Sequence, residues 1–311
     1  MKILVYDSLT EELRQLIRDA AGENPVVFPS SKEEFIKEGA DAEVFYGFCR
    51  EEAFQYLPNV RWIQSSSAGM DTHLYPALKN SDVILTNAAG LYGSQVADQG
   101  FALLLGLARG IHHFARNQPK HEWRGTRVIE IGGFTIGIVG MGGIGLHMAR
   151  RAKGFEMYVL AVDAYRKDKP DLVDELMPID QLPDLMRRSD VVMIACPLTP
   201  ETRHLINAKN LVLMKPTAYF INVARGPIVD EPALIEALKQ GKIAGAGLDV
   251  TEIEPLSKDS PLWDMENVLL TPHAAGGSQH RPRRTIEFFC DNLKRYMKGE
   301  PLKNVVNKQL G

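Results

Sequence analysis

Cysteine is scarce in this chain: of 311 residues only Cys49, Cys196 and Cys290 carry a thiol, far apart and with no Cys-x-x-Cys among them. That pattern argues against a disulfide framework or a structural metal centre and fits a reducing compartment. Long apolar runs are missing as well, none approaching the ~20 residues that cross a bilayer. The opening Met1-Lys2-Ile3-Leu4-Val5-Tyr6-Asp7 meets an acid after four apolar positions, so it reads as a first strand rather than a signal peptide. Charge of one sign is lacking too: the formal net charge is −3 with no long basic stretch, which argues against nucleic acid or a membrane surface as partner. A cytoplasmic protein without internal repeats or low-complexity segments is expected.

What is present is a composition of 45% hydrophobic and 24% charged residues, that of a globular protein. The length exceeds the ~250–300 residues at which single cores tend to split, so two domains are expected. Short apolar runs at 3–6, 26–28, 44–48, 60–64 and 83–86 alternate with helix-prone segments at 10–21, 31–38 and 50–56. Thr10 is expected to cap the first helix, with Leu13, Leu16 and Ile17 on its inner face. Such alternation predicts a parallel sheet covered by helices, complete by about Asn87. Residues 92–118 contain no proline and many apolar side chains, which predicts one buried connecting helix. Trp123, in the irregular stretch that follows, would either anchor an arm on a partner subunit or fold back on its own domain.

The stretch Thr135-Ile136-Gly137-Ile138-Val139 then runs into Gly140-Met141-Gly142-Gly143-Ile144-Gly145 and a helix-prone segment. A strand, a Gly-x-Gly-x-x-Gly turn and a helix start make a pyrophosphate cradle: the first glycine allows the turn, the second admits the phosphates and the third lets helix and strand pack closely. The next apolar run ends in Asp163, 18 residues beyond Gly145, where an acid would accept from ribose hydroxyls. Further strands are expected at 191–195, 218–222, 244–248 and 268–270, making six in a doubly wound domain. In such sheets ligands lie beyond the carboxyl ends of the strands. The last three ends carry Asn222-Val223-Ala224-Arg225-Gly226, then Leu248-Asp249-Val250 with Glu254-Pro255, and finally Thr271-Pro272-His273. An arginine, a glutamate and a histidine at successive strand ends are candidates for carboxylate binding and acid–base work. A helix expected at 278–298 would return the chain to the first domain, giving a hinge with a cleft beneath it.

As a set these motifs resemble the signatures of the D-isomer-specific 2-hydroxyacid dehydrogenases, and the likeness runs over nearly the whole chain. It implies an NAD(P)-dependent oxidoreductase of α/β class with two doubly wound parallel-sheet domains and a cleft between them. One is a Rossmann nucleotide-binding domain at 92–278; the other is a smaller flavodoxin-like substrate domain at 1–91 and 279–311. By this resemblance Arg225 binds the substrate carboxylate and polarises its carbonyl, His273 is the general acid/base and Glu254 its partner, favouring the imidazolium. The backbone of Ala68 and Gly69 would also meet the carboxylate. The cofactor would lie along Gly140, Gly142, Gly143, Ile144, Gly145, Asp163, Cys196, Pro197, Thr202, Val223, Ala224, Arg225, Asp249, His273 and Ala275, with Asp249 holding the nicotinamide carboxamide. A homodimer is implied.

Asp163 would repel a ribose 2′-phosphate and so favours NAD, while Arg166, Lys167 and Lys169 close behind it keep NADP open. The loop Ser66-Ser67-Ala68-Gly69-Met70-Asp71 resembles that of glyoxylate and hydroxypyruvate reductases more than that of phosphoglycerate dehydrogenases. The end of the chain at residue 311, with no appended regulatory domain, points the same way. Formate dehydrogenases place a glutamine where this chain has Glu254. A basic cluster of His280, Arg281, Arg283 and Arg284 would either meet a phosphate or form a solvated helix start. A non-catalytic NAD-gated corepressor and a 3-phosphoglycerate dehydrogenase are the competing expectations.

Overall fold

The computed structural model describes residues 1–70 and 73–309 and divides the chain into two compact units, Met1–Tyr92 with Ser278–Gly311, and Gly93–Gly277. The alternating apolar runs and helical segments of the sequence appear in the first unit as β1 (Ile3–Tyr6), α1 (Glu11–Ala21), β2 (Val26–Val27), α2 (Lys32–Gly39), β3 (Val44–Gly47), α3 (Glu51–Phe54), β4 (Trp62–Gln64), α4 (Pro76–Lys79) and β5 (Ile84–Thr86).

Its strands are parallel in the order β2-β1-β3-β4-β5, the flavodoxin-like doubly wound order. Helices cover both faces. One core layer joins Ile3, Val5, Leu13, Ile17 and Trp62 to Ile286, Phe289 and Leu293 from the chain's last helix, and the other gathers Leu4, Phe35, Phe45, Ile63 and Leu78. Each such buried side chain contributes about 1.5–3 kcal/mol. Thr10 stands at the N-cap of α1 but its hydroxyl makes no cap bond, so that expectation fails. Ser31 does cap α2, accepting from Glu34 N–H at 3.1 Å, while Glu34 reaches back to the N–H of Ser30 at 2.7 Å.

The second unit begins with α5 (Gly93–Ala108) and α6 (Ile111–Asn117). The single helix expected over 92–118 is thus broken, because Gly110 takes φ +68 and turns the chain. There follow β6 (Thr135–Val139), α7 (Gly143–Gly154), β7 (Tyr158–Asp163), β8 (Glu175–Pro178), α8 (Leu182–Arg188), β9 (Val191–Ile194), α9 (Ala208–Leu211), β10 (Tyr219–Asn222), α10 (Glu231–Lys239), β11 (Gly245–Leu248) and β12 (Val268–Leu270).

Seven parallel strands, not six, run in the order β12-β11-β10-β9-β6-β7-β8. The extra strand, β8, is an edge element with only one buried side chain, Met177, so it carried no apolar run to betray it. The order reverses between β6 and β9, and the crevice at such a switch point is where a doubly wound sheet takes its ligand. The last helix, α11 (Arg281–Lys298), belongs to the first unit, where it lies along α1. No helix among the described residues is long and apolar enough to cross a membrane.

Candidate active site

β6 delivers the chain to Gly140 at φ +99, a conformation that L side chains rarely adopt. A Cβ there would lie 2.7 Å from the Cys196 nitrogen, and one on Gly145 would lie 2.2 Å from the Gly140 carbonyl, so both glycines are required by backbone approach. At Gly142 nothing lies within 4 Å of where a Cβ would be: the space above the turn is open. Gly142 also occupies the N-cap of α7 without any side chain to cap it. The first N–H groups of α7, from Gly143, Ile144 and Gly145, therefore carry the partial positive charge of the helix start beside that open space. These residues fit a dinucleotide pyrophosphate.

Asp163, at the end of β7, accepts from Met141 N–H at 2.6 Å with one oxygen and from Tyr165 and Arg166 N–H at 2.8 Å with the other. Burial opposes the charge on this carboxyl, but those N–H groups and the Arg166 guanidinium hold it below the usual carboxylate value. Arg166 donates to the Met141 carbonyl at 3.0 Å and to Asp168 at 2.9 Å, so its side chain is anchored against the glycine turn. Beyond β9, Cys196 packs over Gly140, and Thr202 closes the loop by donating to the Pro197 carbonyl at 2.7 Å and accepting from Thr199 N–H at 2.7 Å.

After β10, Asn222 shapes the turn that presents Arg225: its amide donates to the Arg225 carbonyl and its oxygen accepts from Ala224 N–H, both at 3.0 Å. Val223 and Ala224 are buried beneath that turn, and Arg225 steadies its guanidinium on the Ala224 carbonyl at 2.8 Å. After β11, Asp249 is only 2% exposed. Its carboxylate accepts from the Thr271 hydroxyl at 2.5 Å and from the N–H groups of Ala274 and Ala275 at 2.9 Å, while its carbonyl takes His273 N–H at 2.7 Å. Asp249 thus organises the whole loop after β12, a role that its sequence position did not reveal.

His273 stands at φ +51, and its Nδ1 lies 2.7 Å from the Glu254 carboxylate. With Nδ1 so engaged, Nε2 has no protein partner among the described residues and is the nitrogen presented outward. Glu254 is itself oriented by Thr251 N–H at 3.2 Å. An imidazole held by a carboxylate on one nitrogen, with the other open, is the arrangement for moving a proton to and from a substrate oxygen.

Within the first unit, the loop after β4 turns its carbonyls inward. Tyr92 donates its hydroxyl to Ser66, Ala88 N–H goes to Ser67 at 2.9 Å, and the Asn87 amide goes to Ala68 at 3.0 Å. The N–H groups of Ala68 and Gly69 have no acceptor among the described residues. His73, fully buried, meets the Ser65 hydroxyl at 3.0 Å beneath this loop, and no pattern in the sequence marked it. Asp71 of the expected loop motif lies outside the described residues. In the basic cluster, Arg283 is spent on Glu12 at 2.6 Å and Glu287 at 2.8 Å, and Arg281 lies over the Tyr92 ring at 5.5 Å.

Residues 101–275 match the family model described as D-isomer specific 2-hydroxyacid dehydrogenase, NAD binding domain. The chain belongs to the D-isomer-specific 2-hydroxyacid dehydrogenases. This dehydrogenase is 36% identical to a glyoxylate reductase of Korarchaeum cryptofilum over 91% of its own length and 88% of the relative's. It is 34% identical to a D-3-phosphoglycerate dehydrogenase of Methanocaldococcus jannaschii, covering 99% of this chain but 59% of that one. Its fold superposes on an NADPH-dependent glyoxylate/hydroxypyruvate reductase of Sinorhizobium meliloti, solved with NADP and sulfate, with a TM-score of 0.85, 27% identity and 99% of each chain covered. The dehydrogenase is accordingly a nicotinamide-dependent oxidoreductase acting on a CH–OH group.

Proposed function

We propose that the protein reduces a small 2-oxoacid, of the glyoxylate or hydroxypyruvate type, to the D-2-hydroxyacid. What carries this reading is the 2.7 Å contact of His273 Nδ1 with Glu254, which leaves Nε2 open for the substrate oxygen. A nicotinamide held by the residues named below would supply the hydride for substrate C2. His273 donates the proton to the C2 oxygen during reduction and recovers it in the reverse direction. Glu254 holds the imidazole in orientation and offsets its charge. Arg225 pairs with the substrate carboxylate and polarises the carbonyl. The N–H groups of Ala68 and Gly69, which have no acceptor among the described residues, are assigned to a substrate carboxylate as well.

The dinucleotide is assigned to Gly140, Gly142, Gly143, Ile144 and Gly145 for its pyrophosphate and to Asp163 for a ribose. The loops carrying Cys196, Pro197, Thr202, Val223, Ala224 and Ala275 would flank it. Asp249, already holding three donors, keeps one lone-pair site for the carboxamide. NAD is preferred in this proposal, because a 2′-phosphate would meet the Asp163 carboxylate; Arg166 beside it is the residue through which NADP would be tolerated. Homodimerisation through the fully exposed Trp123 and a cytoplasmic location belong to the same proposal.

The test is oxidation of NADH and of NADPH with glyoxylate, hydroxypyruvate, phosphohydroxypyruvate, pyruvate and bulkier 2-oxoacids. The proposal expects turnover of the first two with kcat/KM higher for NADH. Preference for the phosphorylated acid would move the protein to the 3-phosphoglycerate branch, against which the engagement of Arg283 by two acids speaks. Tight NADH binding with no oxidation across the panel would leave a corepressor-like sensor.

A further inference from the structure

A second imidazole–carboxylate pair stands two residues along the chain from Glu254. His204 Nε2 lies 2.7 Å from Glu252 Oε1, and like His273 the histidine occupies left-handed backbone, at φ +50. A non-glycine residue in that region costs free energy, and such positions cluster where the surrounding structure has a use for the geometry. We propose that His204 is a positioning residue: by pinning Glu252 it fixes the turn 251–254, and with it the carboxylate that orients His273. The proposal rests on the catalytic reading of Glu254 and His273 given above.

Apolar packing does little to hold the turn. Val250 before it is buried and Leu256 after it packs on the core, but Ile253 at its tip is 75% exposed and supplies no apolar anchor. Its ties are polar. Glu252 N–H donates to the Glu231 carboxylate at 2.8 Å, and Glu231 N–H is directed back at Glu252 at 3.4 Å. The Thr251 hydroxyl donates to the Ile253 carbonyl at 2.9 Å, and the Thr251 carbonyl rests against Gly226, where a Cβ would lie 1.8 Å away.

The imidazole of His204 is the side-chain donor placed on the Glu252 carboxylate. His204 is itself rigid: its N–H donates to the Pro227 carbonyl at 2.9 Å, and Ile206 pairs with Val229 as a parallel bridge. Three crossovers, those after β9, β10 and β11, are thereby tied at one point. The loop that closes on Thr202 is in this way connected to the turn that carries Glu254.

The experiment is a double-mutant cycle on the full-length enzyme with glyoxylate and NADH. His204→Asn suits the left-handed backbone but is too short to reach Glu252. It is expected to lower kcat about 10- to 100-fold, the scale of a misplaced reacting group, with KM for NADH and the unfolding midpoint unchanged. His204→Gln, which restores a donor, should recover part of that loss. In a Glu254→Gln background His204→Asn should cost nothing further, since it acts through a carboxylate already removed.

An unchanged kcat in His204→Asn, or the same loss in both backgrounds, overturns the proposal. Glu252→Ala provides the same cycle should the histidine variant not fold. Amide hydrogen exchange separates the two readings: His204→Asn should speed exchange at Thr251 and Glu252. Faster exchange in a protein that reduces no 2-oxoacid would leave the pin in place and remove the function, while unchanged exchange removes the pin whatever the activity.

Discussion

At the residue scale the candidate site is built of side chains whose second atom is already committed. His273 is fixed through Nδ1, Arg225 through its contact with the Ala224 carbonyl, and Asp163 through three N–H groups. Replacing His273 by Ala should lower 2-oxoacid reduction by about 10²- to 10⁴-fold, the usual worth of a positioned acid or base. NADH affinity, followed by fluorescence titration, should stay nearly intact, and Arg225→Ala should behave likewise with a further rise in KM for the oxoacid. Asp163 offers a pH test. Its folded pKa lies below the ordinary 3.8, so its contribution is present above that value and is lost as pH falls through the folded one. Asp163→Asn should therefore be less stable than the parent in urea at neutral pH, and the two should converge in acid.

At the scale of elements, the glycine turn separates packing from binding. Gly145→Ala drives a Cβ into the Gly140 carbonyl and should lower both the unfolding midpoint and NADH affinity, with overpacking of this kind costing about 1–3 kcal/mol. Gly142→Ala enters open space at an ordinary φ of −76, so it should melt with the parent and still bind NADH poorly. Thermal melts paired with NADH titrations distinguish the two variants.

This turn, and the strand ends bearing Arg225, Glu254 and His273, were legible in the sequence because each follows an apolar run into residues that only a special backbone or a special chemistry requires. Three features were not. Strand β8 buries a single side chain, the break at Gly110 hides in an otherwise helical pattern, and Asp249, His73 and His204 act on partners distant in sequence. Periodicity reports burial along one element; it carries no information about which polar groups meet across loops.

At the scale of the whole molecule, Trp123 is exposed to 105% of its reference area, in a stretch where residues 121–128 are all exposed. The fold-back that the sequence left open for this Trp is thus not what the chain adopts. Under the homodimer proposed above, a second copy of the chain would cover this ring. Sedimentation should give a dimer that dissociates at higher concentration in Trp123→Ala than in the parent; a monomer in both would remove the arm from the assembly.

The buried amide of Asn292 reaches Gln64 at 3.1 Å, which accepts in turn from Thr86 at 2.8 Å, while Lys303 N–H closes on Asn292 at 2.9 Å. The amino-terminal sheet is therefore incomplete until α11 has been made, almost two hundred residues after β5. On a ribosome adding about 5–20 residues per second, the first strands would wait on the order of 10–40 s for the helix that covers them. Residues 93–277 need no such delay. In the cell the nucleotide-binding half would be the earlier to mature, and the first-made segment the one that most needs a chaperone's shelter.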